Sequence, residues 1–318
     1  MKKAQLEVSF NWIFIILAGA AILFFFMNVI NTQTDQGRET ISRTITVRMD
    51  SIFSALESSP GSVQINDRLN FEMQFACRDD GHSYTVNNGN ARNYLQSQIL
   101  FSPHEIGNSR LITWTLRHEA PYPIANLLMV SDEQTAYVFI GEDLQILYDE
   151  MPEEFIKFNY SQSEIYNIQD KGHRRYIIVA KNSISLNYIG IPSRKRSTVK
   201  FTDLNSGQII FEGEGAVLPF FGREMLFAAI VTGDKDLFRC SFEKLKEKSE
   251  IMHEIIYERA KKIRQKNLSQ ACDSLYQDEF INPINDTLKE EDPFHVDTIS
   301  QISQLNTRLI RASCPTLY

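Results

Sequence analysis

Leu127-Leu128-Met129-Val130, Ala136-Tyr137-Val138-Phe139-Ile140, Tyr176-Ile177-Ile178-Val179-Ala180 and Met225-Leu226-Phe227-Ala228-Ala229-Ile230-Val231 form nearly continuous apolar runs in the middle of this sequence. A strand with one wet face alternates apolar and polar residues, whereas a strand covered on both faces reads as an unbroken apolar run. These segments are therefore expected to be strands of a sheet with both faces covered. Between the second and third runs, Pro152-Glu153-Glu154-Phe155-Ile156 reads as the opening of a helix, which makes this stretch a βαβ unit with parallel strands. The fold class is α/β, a mixed sheet covered by helices.

Outward from this core, Leu69, Phe71, Met73, Phe75 and Cys77 alternate with Asn70, Glu72 and Gln74, the pattern of a half-buried strand with Cys77 facing inward. Asp79-Asp80-Gly81 supplies turn chemistry, and Tyr84 and Val86 form a return strand that stops at Asn87-Asn88-Gly89, completing a hairpin. Thr198–Thr202 and Gln208–Glu212, joined by Asn205-Ser206-Gly207, predict a second hairpin at the sheet edge or on a subdomain.

Residues 240–318 read as a helical hairpin packed on the core. Ser241 is placed to cap a helix whose apolar stripe is Phe242, Leu245, Met252, Ile256 and Ile263. Asp292-Pro293 opens a second helix with Val296, Ile299, Ile302, Leu305 and Leu309 on one side. An antiparallel pair would bring Cys314 near Cys240 and leave Cys77 with Cys272; on the sequence alone every pairing of the cysteines stays open.

From Phe10 to Ile30 the only polar side chains are Asn11 and Asn28. At ~1.5 Å per residue this run extends about 30 Å, the thickness of a bilayer's hydrocarbon core. A cleaved secretory signal has an apolar region of about 7–15 residues ending in small residues. Here Ala18, Gly19, Ala20 and Ala21 lie in mid-run with bulky residues after them, so the segment reads as a retained transmembrane helix. Beyond it, Ile41, Ile45, Met49, Ile52, Phe53 and Leu56 recur at helical spacing, an amphipathic extension. Lys2 and Lys3 flank the span closely on one side, and Arg38, Arg43 and Arg48 lie farther off on the other. Together with the even cysteine count, this places the main domain outside the cytoplasm. The chain thus divides into a short basic leader (1–9), a transmembrane helix (10–30), an amphipathic extension (31–58), a β-rich segment (59–120), an α/β core (121–239) and the helical hairpin (240–318).

Lys3-Ala4-Gln5-Leu6-Glu7 stands directly before the apolar run, and this N-terminus resembles the class III signal of archaeal type IV pilin-like proteins. The resemblance implies cleavage of a short basic leader between Ala4 and Gln5, with the apolar segment kept as the first half of a long helix that serves assembly. In that family a glutamate lies at the fifth mature position. Here Ser9 stands fifth and Glu7 third.

Chemistry-bearing motifs are sparse. Net charge is −7, which opposes a nucleic-acid footprint. The cysteines form no CxxC pair, and Cys77-Arg78-Asp79-Asp80-Gly81-His82 lacks a standard metal-ligand spacing. His104-Glu105, His118-Glu119 and His253-Glu254 are not continued to HExxH, so these histidines are expected at the surface or in caps. Gly141-Glu142-Asp143 and Gly213-Glu214-Gly215 are not phosphate loops, and no GxSxG elbow occurs. Ser193-Arg194-Lys195-Arg196-Ser197 is the one basic cluster; it reads as a solvated loop, with anionic lipid or polysaccharide as the alternative contact. Sequons at Asn159, Asn267 and Asn285 occur at about the chance rate and decide nothing about location.

The expectation is a membrane-anchored envelope protein with a structural or interaction role. Its partners would be the lipid bilayer and, through the first helix, protein partners or copies of itself. It would carry no cofactor or metal and bind no nucleic acid. An anchored extracytoplasmic hydrolase or transferase and a ligand-binding sensor module are the alternatives.

Overall fold

Successive residues of β9 (Thr135–Ile140) enter different cores: Tyr137 and Phe139 join one hydrophobic cluster, Ala136, Val138 and Ile140 another. The same division holds in β11 (Arg175–Lys181), where Ile177 and Val179 face the first cluster and Tyr176, Ile178 and Ala180 the second. In β8 (Pro123–Asp132), Leu127 and Met129 point into the first cluster and Leu128 and Val130 into a third. An unbroken apolar run is what a strand between two cores requires. The computed structural model describes residues 2–69, 71–78, 81–87, 93–95, 98–186, 189–213, 216–266, 270–276, 284 and 296–318.

The largest sheet has the order β10-β9-β11-β12-β13-β14. β10 (Ile156–Tyr160), β9, β11 and β12 (Arg196–Phe201) run parallel. β13 (Ser206–Phe211) and β14 (Ala216–Phe221) continue it antiparallel, so the expected hairpin is present in the large sheet with Val199 opposite Phe211, but β14 and not the hairpin takes the edge. A second sheet has the order β1-β7-β8-β5, with β1 Val63–Arg68, β7 Arg110–Glu119 and β5 Ile99–Phe101. A third, β4-β3-β2-β6, contains the hairpin of β2 (Met73–Arg78) and β3 (Gly81–Val86), edged by β4 (Asn93–Tyr94) and β6 (Glu105–Ile106). Helix α1 (Lys2–Glu57) is continuous through both the apolar and the amphipathic stretch.

Met225–Val231 is a helix, not a strand. α3 (Arg223–Thr232) lies against strands of the first and second sheets, including β8, β7, β11 and β13, and all its residues from Met225 to Thr232 are buried. A helix enclosed on every side needs no polar face, and periodicity cannot separate it from a two-faced strand. Its composition is helical, with Met, Leu and two alanines, and it ends at Gly233 in the left-handed conformation that glycine adopts without a Cβ penalty.

Asp234 follows at once and caps α4 (Lys235–Arg264), its Oδ1 accepting from the Leu237 amide at 2.9 Å. α4 therefore begins ahead of the expected Ser241, which is buried inside the helix. Pro152 ends a helix where one was expected to open. α2 is Gln145–Glu150, and Ile156 already belongs to β10, since proline lacks the amide that the next helical turn would use.

The disulfides are Cys77–Cys240 and Cys272–Cys314, not the Cys240–Cys314 and Cys77–Cys272 pairs that an antiparallel helix hairpin implies. Cys314 follows the last helix, α6 (Val296–Arg311), and its neighbour Pro315 shares a groove with Ile263 and Lys266 at the C-terminal end of α4. Cys240, near the N-terminal end of α4, is about 35 Å away at ~1.5 Å per residue. It is met instead by Cys77 of β2. The stripe of α6 behaves as its spacing predicts, with Ile299, Ile302, Leu305 and Leu309 buried in the cluster that holds Ile256, Ala260 and Ile263 of α4. The short α5 (Gln270–Asp273) carries Cys272. Asp79, Asp80, Asn88, Gly89, Glu214, Gly215, Asn267, Asn285, Asp292 and Pro293 lie outside the described residues.

Candidate functional site

Ile16, Leu17, Ile22, Leu23, Phe24, Phe25, Phe26 and Met27 of α1 are 56–73% exposed. At 3.6 residues per turn, the consecutive residues 22–27 face every direction around the axis. Single exposed apolar side chains are ordinary, but a contiguous apolar surface marks a contact with lipid or protein, and a helix apolar on all sides is one that something encloses. Among the described residues no helix is long and apolar enough to cross a membrane; along this run the described side chains are those of residues 16–29. Ala4 and Gln5 fall within α1, and their side chains lie outside the described set.

The far half of the same helix is bound into the body. Met49, Phe53 and Leu56 are buried, and Ile45 and Ile52 pack against their cluster, as the amphipathic spacing predicts. The Phe53 ring meets Tyr84 edge-on at 6.0 Å. Tyr84 also donates its hydroxyl to Asp50 Oδ1 at 2.7 Å, with the Thr46 carbonyl at 3.2 Å. Burial, then the neighbouring Asp50 carboxylate, push the Tyr84 phenol well above its usual range, so it stays a donor. Asn93 Nδ2 donates to Thr46 Oγ1 at 2.9 Å, Asn126 Nδ2 to the Glu57 carbonyl at 2.6 Å, and Lys248 pairs with Glu57 at 3.5 Å. These partners come from β3, β4, β8 and α4, so residues 46–57 of the helix are held to the domain from several elements.

The histidines serve the interior more than the surface. His118 and His253, expected at the surface or in caps, are fully buried, while His104 is exposed. His118 Nδ1 donates to Glu224 Oε1 at 2.7 Å, which joins β7 to the first turn of α3. His253 donates from Nδ1 to the Ser249 carbonyl one turn back, at 2.7 Å, and its ring packs edge-on against Tyr122. His82 lies 3.3 Å from Ser241 Oγ, whose hydroxyl donates to the Leu100 carbonyl. Burial first, and the nearby Lys244 charge second, lower the His82 pKa to about 4, so the ring is neutral at pH 7. Ser241 and His82 resemble a nucleophile and base, but both are sealed in the core, where no substrate atom reaches them. Cys77 is taken into a disulfide and offers no thiolate to a metal, and among the described residues no group of three potential ligands comes together.

The basic segment 193–197 is not a free loop. It forms a single 3-10 turn, Ser193–Lys195, and the start of β12, and it lines a cleft with Arg174 and Arg175. The sequence gives no notice of that meeting, because the two basic stretches become neighbours only when β11 and β12 pair in parallel. The chain matches no protein-family model, no curated protein and no solved structure.

Proposed function

We propose that this protein is a single-pass, membrane-anchored component of the cell envelope with a structural or interaction role. In this reading residues 10–30 of α1 cross the bilayer and residues 44–57 hold the α/β domain against the membrane exit. The observation that carries it is the continuous, all-round exposed apolar surface from Ile16 to Met27 on the helix whose other half is locked into the domain. The two disulfides support an oxidising compartment for the domain. The same surface suits enclosure by like helices in an assembly, which is how the resemblance of Lys3–Glu7 to a pilin-like signal would be expressed.

The test is alkaline carbonate extraction of membranes from cells making the full chain, followed by protease treatment of the intact cells. The chain is expected to stay with the membrane and the domain to be digested from outside. Release by carbonate, or a domain protected until the cells are broken, contradicts the reading.

A further inference from the structure

Three parallel inner strands of the large sheet, β9, β11 and β12, begin side by side, with Arg175 opposite Thr135 and Arg196 opposite Tyr176. Around these strand starts is a cleft of about 230 Å³ whose lining includes Arg174, Arg175, Arg194, Lys195 and Arg196 against two carboxylates, Glu105 and Asp132. In a chain of net charge −7 this concentration of cations is local, not a reflection of overall composition. Both carboxylates are engaged: Glu105 pairs with Arg174, and Asp132 Oδ1 accepts from Thr135 Oγ1 at 2.8 Å and the Gln134 amide at 3.1 Å. Lys195 reaches Asp170 at 2.7 Å. Among the described residues, Arg175, Arg194 and Arg196 have no ion pair, and Arg175 Nη1 is buried without a hydrogen-bond acceptor.

A buried donor without an acceptor is costly, most of all on a charged group. Burial disfavours the Arg175 cation, and the nearby Asp132 and Asp234 carboxylates favour it without accepting from Nη1. Glycine at 107 lets Arg174 lie close over the backbone, since a Cβ there would stand 2.1 Å from Arg174 Nη1.

We infer that this cleft binds a phosphate group. Guanidinium forks match carboxylate and phosphate alike, but a group with about two negative charges and three free oxygens satisfies several converging cations, where a carboxylate offers two oxygens and one charge. Ser197 adds a neutral hydroxyl to the lining. At about 230 Å³ the space falls below the ~300 Å³ where pockets for drug-sized molecules begin, so it holds the phosphate and a small part of whatever carries it. The group is either a soluble phosphate or the phosphomonoester headgroup of a lipid.

Calorimetric titration of the full chain in non-ionic detergent with inorganic phosphate, against chloride at equal ionic strength, tests this. Saturable binding of one phosphate per chain is expected, weakened about tenfold or more in Arg175→Met and in Arg196→Gln, the loss of one charge-assisted contact each. Near-ultraviolet circular dichroism verifies that both variants are folded. Absence of saturable heat in the parent chain, or binding equal to the parent's in both folded variants, overturns the inference. Repeating the titration in micelles containing a short-chain phosphatidic acid separates the sources: competition with phosphate identifies a headgroup, and unchanged affinity a soluble ligand.

Discussion

Cys77 and His82 face one another across the β2–β3 hairpin, and both are tied to the same turn of α4, Cys77 by its disulfide to Cys240 and His82 by its contact with Ser241. One covalent bond and one buried polar chain thus hold the third sheet to the long helix. The disulfide joins residues 163 apart in sequence, whereas Cys272–Cys314 spans 42. Chain-entropy arithmetic gives about 5 kcal/mol for the longer loop and about 4 kcal/mol for the shorter, as upper values. The double variant Cys77→Ala/Cys240→Ala is expected to lose more stability than Cys272→Ala/Cys314→Ala in urea denaturation. Equal losses would mean that the cross-link between hairpin and helix contributes little beyond local packing.

Acid should loosen the same junction. His82 titrates near pH 4 in the folded chain and near its ordinary 6.5 when unfolded, so between those values the unfolded state binds more protons. Stability is therefore complete above about pH 6.5 and falls as the pH drops towards 4, by on the order of 3 kcal/mol in all. His253, also lowered by burial, acts in the same sense. Urea midpoints measured across that range should fall in the parent chain and fall less in His82→Gln, which cannot gain the proton. A parallel slope in the variant would assign the acid sensitivity elsewhere.

Phe53 is the apolar peg that seats α1. It is wholly buried, between Tyr84 and the cluster of Met73, Phe75 and Leu100. Phe53→Ala removes a ring from a packed site and should cost about 3–5 kcal/mol. The loss should appear first as faster amide hydrogen exchange across residues 44–57, with β9 and β11 still protected, because those strands draw on other clusters. Uniform loss of protection would show instead that α1 and the sheets unfold as one unit.

The reach of the sequence follows from which signals are local. The strands β9 and β11 were legible because an unbroken apolar run needs two covers, and the hydrophobic clusters supply them on either side. The same signal misled at Met225–Val231, where the two covers enclose a helix. The docking half of α1 was legible from spacing, since Met49, Phe53 and Leu56 are fixed by the helical period alone. Its polar anchors were not: Asp50 and Tyr84 are 34 residues apart, and no motif announces that a tyrosine will find that carboxylate. The cysteine pairs failed for a nearby reason. Asp234 starts α4 early enough to place Cys240 inside the helix and over β2, while the return of the chain brings Cys314 to the other end. The basic cleft was half legible, as the segment 193–197, and needed the parallel pairing of β11 with β12 to be complete.

If lipid encloses the first half of α1, charge placed there should expel it. Leu23 and Phe25 are 67% and 64% exposed, in the middle of the apolar stretch. A lysine near the centre of a bilayer costs about 2.5–3.5 kcal/mol, so Leu23→Lys/Phe25→Lys removes about 5–7 kcal/mol of insertion free energy. The double variant is expected in the carbonate-soluble fraction with its disulfides intact where the parent stays in the membrane. Full membrane retention of the variant would point to an apolar surface buried by protein.

The state of the N-terminus separates a plain anchor from a pilin-like subunit, because both predict membrane association and only one predicts trimming. Cleavage between Ala4 and Gln5 removes the basic side chains Lys2 and Lys3, leaving an apolar segment near a new amino terminus. Such a helix can leave the bilayer for the core of an assembly, whereas Lys2 and Lys3 would oppose that transfer by burying two charges among apolar neighbours. Intact-mass measurement of the chain extracted from its native membrane, with and without reduction, reads both features at once. A mass lacking residues 1–4, with both disulfides formed, is the expected result for the assembling subunit. An untrimmed mass with both disulfides keeps the envelope anchor and ends the pilin-like reading, and an untrimmed mass with free thiols removes the oxidising compartment as well.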